Sequence, residues 1–286
     1  MKLVRWGRKG VERPGLIDAS GEVRDLSALI DDIASDVLSD ASLGRLSRVD
    51  PTTLPLAPAG ARLGACVARV GKLVCIGLNY RDHAREAGLP EPAEPIIFLK
   101  APSAITGPND PVEIPDGATK VDWEVELGVV LGTMAKNVSE EHALSHVAGY
   151  CIVNDVSERA WQMERGGQWD KGKCADTFAP IGPWLVTRDA LLDPQALSLW
   201  LEVDGVRRQQ GTTADMVFGV RQLVAYVSQF MSLHPGDVIA TGTPAGVGMG
   251  FRPPVYLQPG QTMRLGIQGL GEQLSRLTVP SVPTVR

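Results

Sequence analysis

The sequence predicts a β-rich α+β fold, on three observations. Apolar runs of strand length outnumber segments with a helical period. The strands are joined by hairpin signals such as Asp204-Gly205. Strands and helices also fail to alternate in the βαβ order of a parallel sheet. At 286 residues, 44% hydrophobic and 21% charged, the chain has room for one large domain with a small appendage or for two modest domains.

Residues 1–69 read as a small N-terminal α/β unit. Short apolar runs such as KLVRW are followed by LSALIDDIASDVLSDA, the source of a helix, and then by the Pro-rich PTTLPLAPAG, a linker. The larger unit spans residues 70–286. KLVCIGLNY is a buried strand, and RDHAREAG a turn or two of helix that Gly88 closes at the C′ position. KVDWEVELGVVLG alternates at period two, a strand with two distinct faces. SEEHALSHVAGY reads as a short helix capped by Ser139, with two glutamates at its positive end. YCIVND is a strand and ERAWQMERGG a helix. LSLWLEVDGVRRQQ is a hairpin, because Asp204-Gly205 supplies the two positive-φ positions of a type I′ turn. In DMVFGVRQLVAYVSQFM, the apolar Met216, Val217, Val220, Leu223, Val224 and Val227 recur with a helical period that stops before Pro235. PGDVIATGTPAGVGMG is a strand running into a Gly-rich loop, and more short strands close the chain.

Composition excludes several classes. The formal charge of −5 is dispersed, with no basic stripe for a phosphate backbone, so no nucleic-acid partner is expected. No apolar leader opens the chain and no apolar run is long enough to span a bilayer, so a cytoplasmic protein without a membrane partner is expected. Cys66, Cys75, Cys151 and Cys174 are widely spaced and read as reduced, packed thiols.

The chemistry concentrates in acids. Glu124 and Glu126 lie two apart on a strand, so their carboxylates share a face, about 7 Å apart at Cα and within reach of one cation. The same alternation also suits a half-exposed strand. Asp155 ends the YCIVND strand, poised either over a site or as the N-cap of the following helix. Three carboxylates without His or Cys would make a hard site for Mg²⁺ or Mn²⁺. His83 and Glu86 are three apart on a helical turn, where the acid can orient the imidazole and support its protonated form; a solvated helix face gives the same spacing. Arg159 and Gln162 are likewise three apart and can meet an anion, or Arg159 can pair with Glu158 or Asp155. Lys173 sits in a loop, either solvated or facing a developing enolate oxygen. No helix signal follows TGTPAGVGMG, which rules out a phosphate cradle and leaves a turn whose N–H groups and Thr243 can hold a carboxylate. His142 and His146 lack the H-E-x-x-H order and read as exposed helix residues.

Together GLNYRDHA, the E-x-E of DWEVELG, NDVSERAWQ, GKCADTFAPIGP and TGTPAGVG, in this order, resemble the fumarylacetoacetate hydrolase family over residues 70 to 280. The resemblance implies a mixed β-roll, usually in a homodimer, around a metal held by Glu124, Glu126 and Asp155. It also implies a water-activating dyad of His83 and Glu86, an active-site Lys173, and substrate contacts from Arg159, Gln162 and Thr243. Family members hydrolyse acylpyruvates, and relatives decarboxylate oxaloacetate or isomerise 2-oxo acids. Leu78 stands where several acylpyruvate-cleaving members have Arg. GLNY and GGQWDKGKCADTFAPIGPW are more similar to members acting on 2,4-diketo-3-deoxy sugar acids. The expected partner is thus a small 2-oxo acid substrate, cleaved by hydrolysis to pyruvate and a carboxylic acid. The alternatives are a decarboxylase or isomerase on the same metal, or a non-catalytic metal-binding protein. The short helix carrying His83, bounded by Gly88 and LPEPAEP, is expected to act as a lid.

Overall fold

The computed structural model describes residues 1–280 except Leu192. Its elements in chain order begin with β1 (Lys2–Trp6), β2 (Arg13–Ile17), β3 (Val23–Asp25) and α1 (Asp40–Leu46). Next come β4 (Leu73–Gly77), α2 (Arg81–Glu86), β5 (Ile96–Lys100), β6 (Ile105–Thr106), β7 (Val112–Glu113), β8 (Val121–Asp122), β9 (Val125–Leu131) and β10 (Val147–Asn154). After them lie β11 (Ser157–Glu158), α3 (Arg159–Met163), α4 (Asp170–Lys173), β12 (Ala179–Thr187), β13 (Ser198–Val203) and β14 (Val206–Thr212). The described chain ends with α5 (Val220–Phe230), β15 (Val238–Ala240), β16 (Thr262–Ile267) and β17 (Gly271–Thr278). Strand predominates and helices are short, as the sequence predicts for the mixed β-roll.

The main sheet runs β3-β2-β1-β12-β10-β9-β15-β4-β5, with β6 added parallel to β12. A second sheet, β14-β13-β16-β17-β7, places β13 and β16 against β9. β9 and β10 are therefore covered on both faces, and every residue in them is buried. That corrects the half-exposed reading of the E-x-E strand. Leu127, Tyr150, Ile152, Leu199 and Leu265 belong to one continuous core, and each such side chain contributes on the order of 2 kcal/mol by leaving water. The N-terminal strands extend the same sheet, since β1 pairs with β12 at Leu3 and Leu185. The Pro-rich segment and the residues just after it are stitched to them by bridges from Leu56 to Arg24 and from Leu63 to Trp6.

Three helix expectations are corrected. LSALIDDIASDVLSDA does not form the N-terminal helix along its length; the helix begins only at Asp40, at the end of that stretch, capped by the Ser39 hydroxyl. SEEHALSHVAGY holds only a 3₁₀ turn, Ala143–His146, after which Val147 opens β10, because the β-branched residues beyond it are drawn into the sheet. His142 is exposed and His146 half-buried on that turn, not on an α-helix. The helix expected from Met216 starts at Val220, since Asn79 holds the N–H and C=O of Phe218 and keeps that residue out of the helical ladder. The β13–β14 hairpin forms as expected, with φ of 49° at Asp204 and 75° at Gly205. Among the described residues no helix is long and apolar enough to cross a membrane.

Candidate active site

The site gathers at one end of the central strands. Glu124 lies between β8 and β9, Glu126 within β9, and Asp155 directly after β10, which pairs with β9 so that Val153 faces Glu126. Pairing two strands whose acids fall at the same end brings the three carboxylates together, with ligand-capable oxygens all within 4.8 Å of one another. All three residues are buried. Asp155 is not a helix cap: Glu158 takes that place, accepting from the Ala160 N–H.

Cations answer most of this charge. Arg159 donates to Asp122 (2.8 Å), to Glu124 (2.6 Å) and to the Gln162 amide oxygen (3.0 Å). Its partners are thus Asp122 and Glu124, not Glu158 or Asp155. Lys173 lies in the short helix α4 rather than a loop, and it is buried rather than solvated. Its Nζ donates to Glu124 (2.6 Å) and Asp155 (2.7 Å). Lys100, also buried, donates to the other Asp155 oxygen at 2.6 Å. Burial alone would raise the Glu124 carboxyl, but Arg159 and Lys173 outweigh it and hold the group well below the usual carboxylate range. The same acids keep both cations protonated despite burial.

Glu126 is the exception. Among the described residues its one hydrogen-bond donor is the Gly242 N–H at 2.9 Å. Burial first, then the charges of Asp155 and Glu124, push its carboxyl well above the usual range. Asp122, Glu124, Glu126 and Asp155 outnumber Lys100, Arg159 and Lys173 by one charge, and the excess falls on the acid without a cation. An all-oxygen donor set with a surplus negative charge fits a hard dication.

The dyad is assembled beside the acids. His83 Nδ1 is 3.1 Å from Glu86 Oε2, while Glu86 Oε1 accepts from the Gly246 N–H at 2.9 Å. The pair is therefore held in place rather than solvated. The Gly-rich loop does bind carboxylates, but they are the protein's own: Gly242 holds Glu126, Gly246 holds Glu86, and Gly248 and Met249 hold Asp122. Gly242 and Gly246 sit at φ of 97° and 103°, and a Cβ on Gly246 would lie 2.0 Å from the Arg208 carbonyl oxygen. The loop therefore requires glycine there. Thr243 reaches the cavity, but its hydroxyl donates to the Val125 carbonyl and accepts from Gln209, so no hydroxyl proton remains for a substrate carboxylate.

A cavity of about 90 Å³ opens onto His83, Glu124, Glu126, Arg159, Gln162, Lys173 and Thr243. It brings together every residue expected at the site except Glu86, which reaches it through His83, and Asp155, whose oxygens both face lysines. Asp122 and Lys100 escaped the sequence reading. Asp122 was findable, because period two places it on the face of Glu124 and Glu126. Lys100 carried no local signal.

The chain is similar to known proteins over most of its length. Residues 72–278 match the family model described as fumarylacetoacetate (FAA) hydrolase C-terminal. A protein of Burkholderia ambifaria described as a hydrolase is 65% identical over 275 residues, covering 96% of this chain and 98% of that one. The fumarylacetoacetate hydrolase structure from Exiguobacterium antarcticum is 38% identical, with a TM-score of 0.88 over 98% of this chain and 100% of that one. Maleylpyruvate hydrolase from Sphingobium sp. SYK-6, solved with manganese(II) and pyruvate, is 30% identical, with a TM-score of 0.81 over 98% and 100%.

Proposed function

The chain belongs to the fumarylacetoacetate hydrolase family, and from that premise we propose that it hydrolyses a carbon–carbon bond in a 2,4-dioxo acid, releasing pyruvate and a carboxylic acid. The finer form of this reading is a 2,4-diketo-3-deoxy sugar acid as substrate, with Mg²⁺ or Mn²⁺ held by Glu124, Glu126 and Asp155, in a homodimer. The observation that carries it is the His83–Glu86 pair fixed at the cavity of the buried acid cluster. A relative solved with manganese(II) and pyruvate supports the choice of metal and product class.

A bound dication would supply Lewis-acid polarisation of the substrate's 2-oxo acid end. The chain's residues do the rest. Glu86 fixes the imidazole through Nδ1, which leaves Nε2 to take a proton from water. That water adds to the distal carbonyl, and the tetrahedral adduct breaks its carbon–carbon bond to release pyruvate as the enolate. Lys173, kept cationic by Glu124 and Asp155, stabilises the developing oxyanion. Arg159 and Gln162 hold the substrate's anionic end. The imidazolium returns its proton to the enolate carbon.

Pyruvate release from a panel of 2,4-dioxo acids, with and without Mg²⁺, tests the reading. His83→Ala and Glu86→Ala should each abolish hydrolysis. A variant that still consumes oxaloacetate while cleaving no 2,4-dioxo acid would point to decarboxylation instead. A single species of monomer mass in sedimentation equilibrium would remove the homodimer.

A further inference from the structure

Of the seven residues of β14, Gln209 alone is buried, and fully so. A bulge aims it inward: Leu201 pairs with Gln209 but Glu202 pairs with Arg207, so Arg208 is an extra residue and the strand bends there. The Gln209 amide crosses from the second sheet to β9. Its Oε1 accepts from the Val125 N–H at 3.0 Å, and its Nε2 donates to the Thr243 hydroxyl oxygen and to the Pro244 carbonyl, each at 2.8 Å. Chemistry fixes that orientation, because the Val125 N–H can only donate and the Pro244 carbonyl can only accept.

Val125 is the residue between Glu124 and Glu126, and toward β15 its main chain lies beyond the end of the ladder. β15 pairs with β9 only as far as Ala240 opposite Gly128. The Thr241 N–H still reaches the Leu127 carbonyl at 3.1 Å, and at Gly242 the chain turns away with φ of 97°. Two side chains stand in for a strand at Val125. Gln209 takes its N–H, and the Thr243 hydroxyl donates to its carbonyl at 2.9 Å. Left bare in the interior, either main-chain group would be costly. The same amide grips the loop at Thr243 and Pro244, next to the Gly242 N–H that holds the Glu126 carboxylate. The loop also lies directly on β14, where a Cβ on Gly211 would fall 2.7 Å from Pro244. One side chain thus ties the backbone that carries Glu126 to the segment that holds its carboxylate.

We propose that Gln209 is a positioning residue of the acid cluster: by locking Val125 to Thr243 and Pro244 it sets the spacing at which Glu124 and Glu126 present their oxygens to a dication. It touches neither carboxylate and acts only through the main chain of β9 and the loop. The proposal rests on the reading above that Glu124, Glu126 and Asp155 hold the metal, and it adds the residue that keeps two of them in register.

Mn²⁺ binding to the full chain, followed through the electron paramagnetic resonance signal of the free ion, tests it, with a melting temperature for each variant. Gln209→Met keeps an unbranched buried side chain but removes all three bonds. It should weaken Mn²⁺ binding by about tenfold, the lower end of what outer-shell losses cost. Thr243→Val cuts the same link from the loop side and should act in the same direction, and Thr243→Ser, which restores the hydroxyl, should recover most of the loss. Gln273→Met is the control for burial alone. Gln273 is equally buried in the same sheet and donates to the carbonyls of Ile152, Pro180 and Gly182, so its loss should lower the melting temperature without moving Mn²⁺ affinity. A folded Gln209→Met protein that binds Mn²⁺ as wild type does overturns the proposal and leaves the metal reading standing. So does an equal loss in Gln273→Met, or a loss in Thr243→Val that Thr243→Ser does not recover. If Gln209→Met does not fold, the Thr243 pair decides in its place. If the wild type takes up no Mn²⁺ at millimolar concentration, the metal reading falls and this proposal falls with it.

Discussion

Replacing Gly250 by Ala should disable the base while leaving the acid cluster intact. A Cβ on Gly250 would lie 2.3 Å from Glu86 Cδ and Oε1 and 2.7 Å from Cγ. Reaching ordinary contact requires the carboxyl to retreat by about 1 Å. The hydrogen bonds to His83 at 3.1 Å and from Gly246 at 2.9 Å would then stretch beyond useful range. A misplacement of about 1 Å in a catalytic array costs on the order of 10²-fold in rate, so kcat for pyruvate release should fall by about that factor. Glu86 is a flexible, partly exposed side chain, so the melting temperature should drop by no more than about 2–4 °C. Mg²⁺ binding by calorimetry should be unchanged. In a Glu86→Ala background the Gly250 substitution should add nothing, because both act through the same carboxylate. A folded Gly250→Ala enzyme with kcat within about threefold of wild type would refute the argument that Glu86 must be held by this loop.

Further outcomes follow from other parts of the structure. Glu126→Gln should weaken Mg²⁺ or Mn²⁺ binding by more than the roughly 10- to 100-fold that outer-shell losses cost, as read by titration calorimetry. In chelator the same variant should melt no lower than wild type, because burial and the charges of Asp155 and Glu124 already disfavour an ionised carboxylate at that position. Asp110 is partly buried, which would raise its carboxyl, but Arg62, the Gly107 N–H and the Thr106 hydroxyl hold it below the usual range. A depressed carboxyl stabilises the fold above the ordinary carboxylate range and loses that contribution as pH falls through its folded value. Asp110→Asn should therefore flatten the acid limb of urea stability by on the order of 1 kcal/mol after solvent screening. The amides of residues 81–89 should exchange more slowly with Mg²⁺ and an oxalate-like inhibitor present, and equal exchange would remove the lid.

What could be read in advance follows from the range of each interaction. The E-x-E face, the His83–Glu86 spacing and the Asp204-Gly205 hairpin are local patterns, and local geometry realises them. The partners of Arg159 were misread because Asp122 and Glu124 lie 37 and 35 residues away and meet it only through the β8–β11 pairing. Lys173 had the sequence of a solvated loop lysine, and its burial depends on strands far along the chain. The Gly-rich loop was identified as a carboxylate holder, yet whose carboxylates it holds is decided by tertiary contact. The expected helix after Ser139 failed because its second half contributes more to the central sheet than its own turn could return.

The loop at residues 242–250 secures acids belonging to three separate segments, β9, α2 and β8, by main-chain groups alone. A change in the course of that loop would therefore disturb all three acids together, although each belongs to a different part of the sheet or its flanking helix.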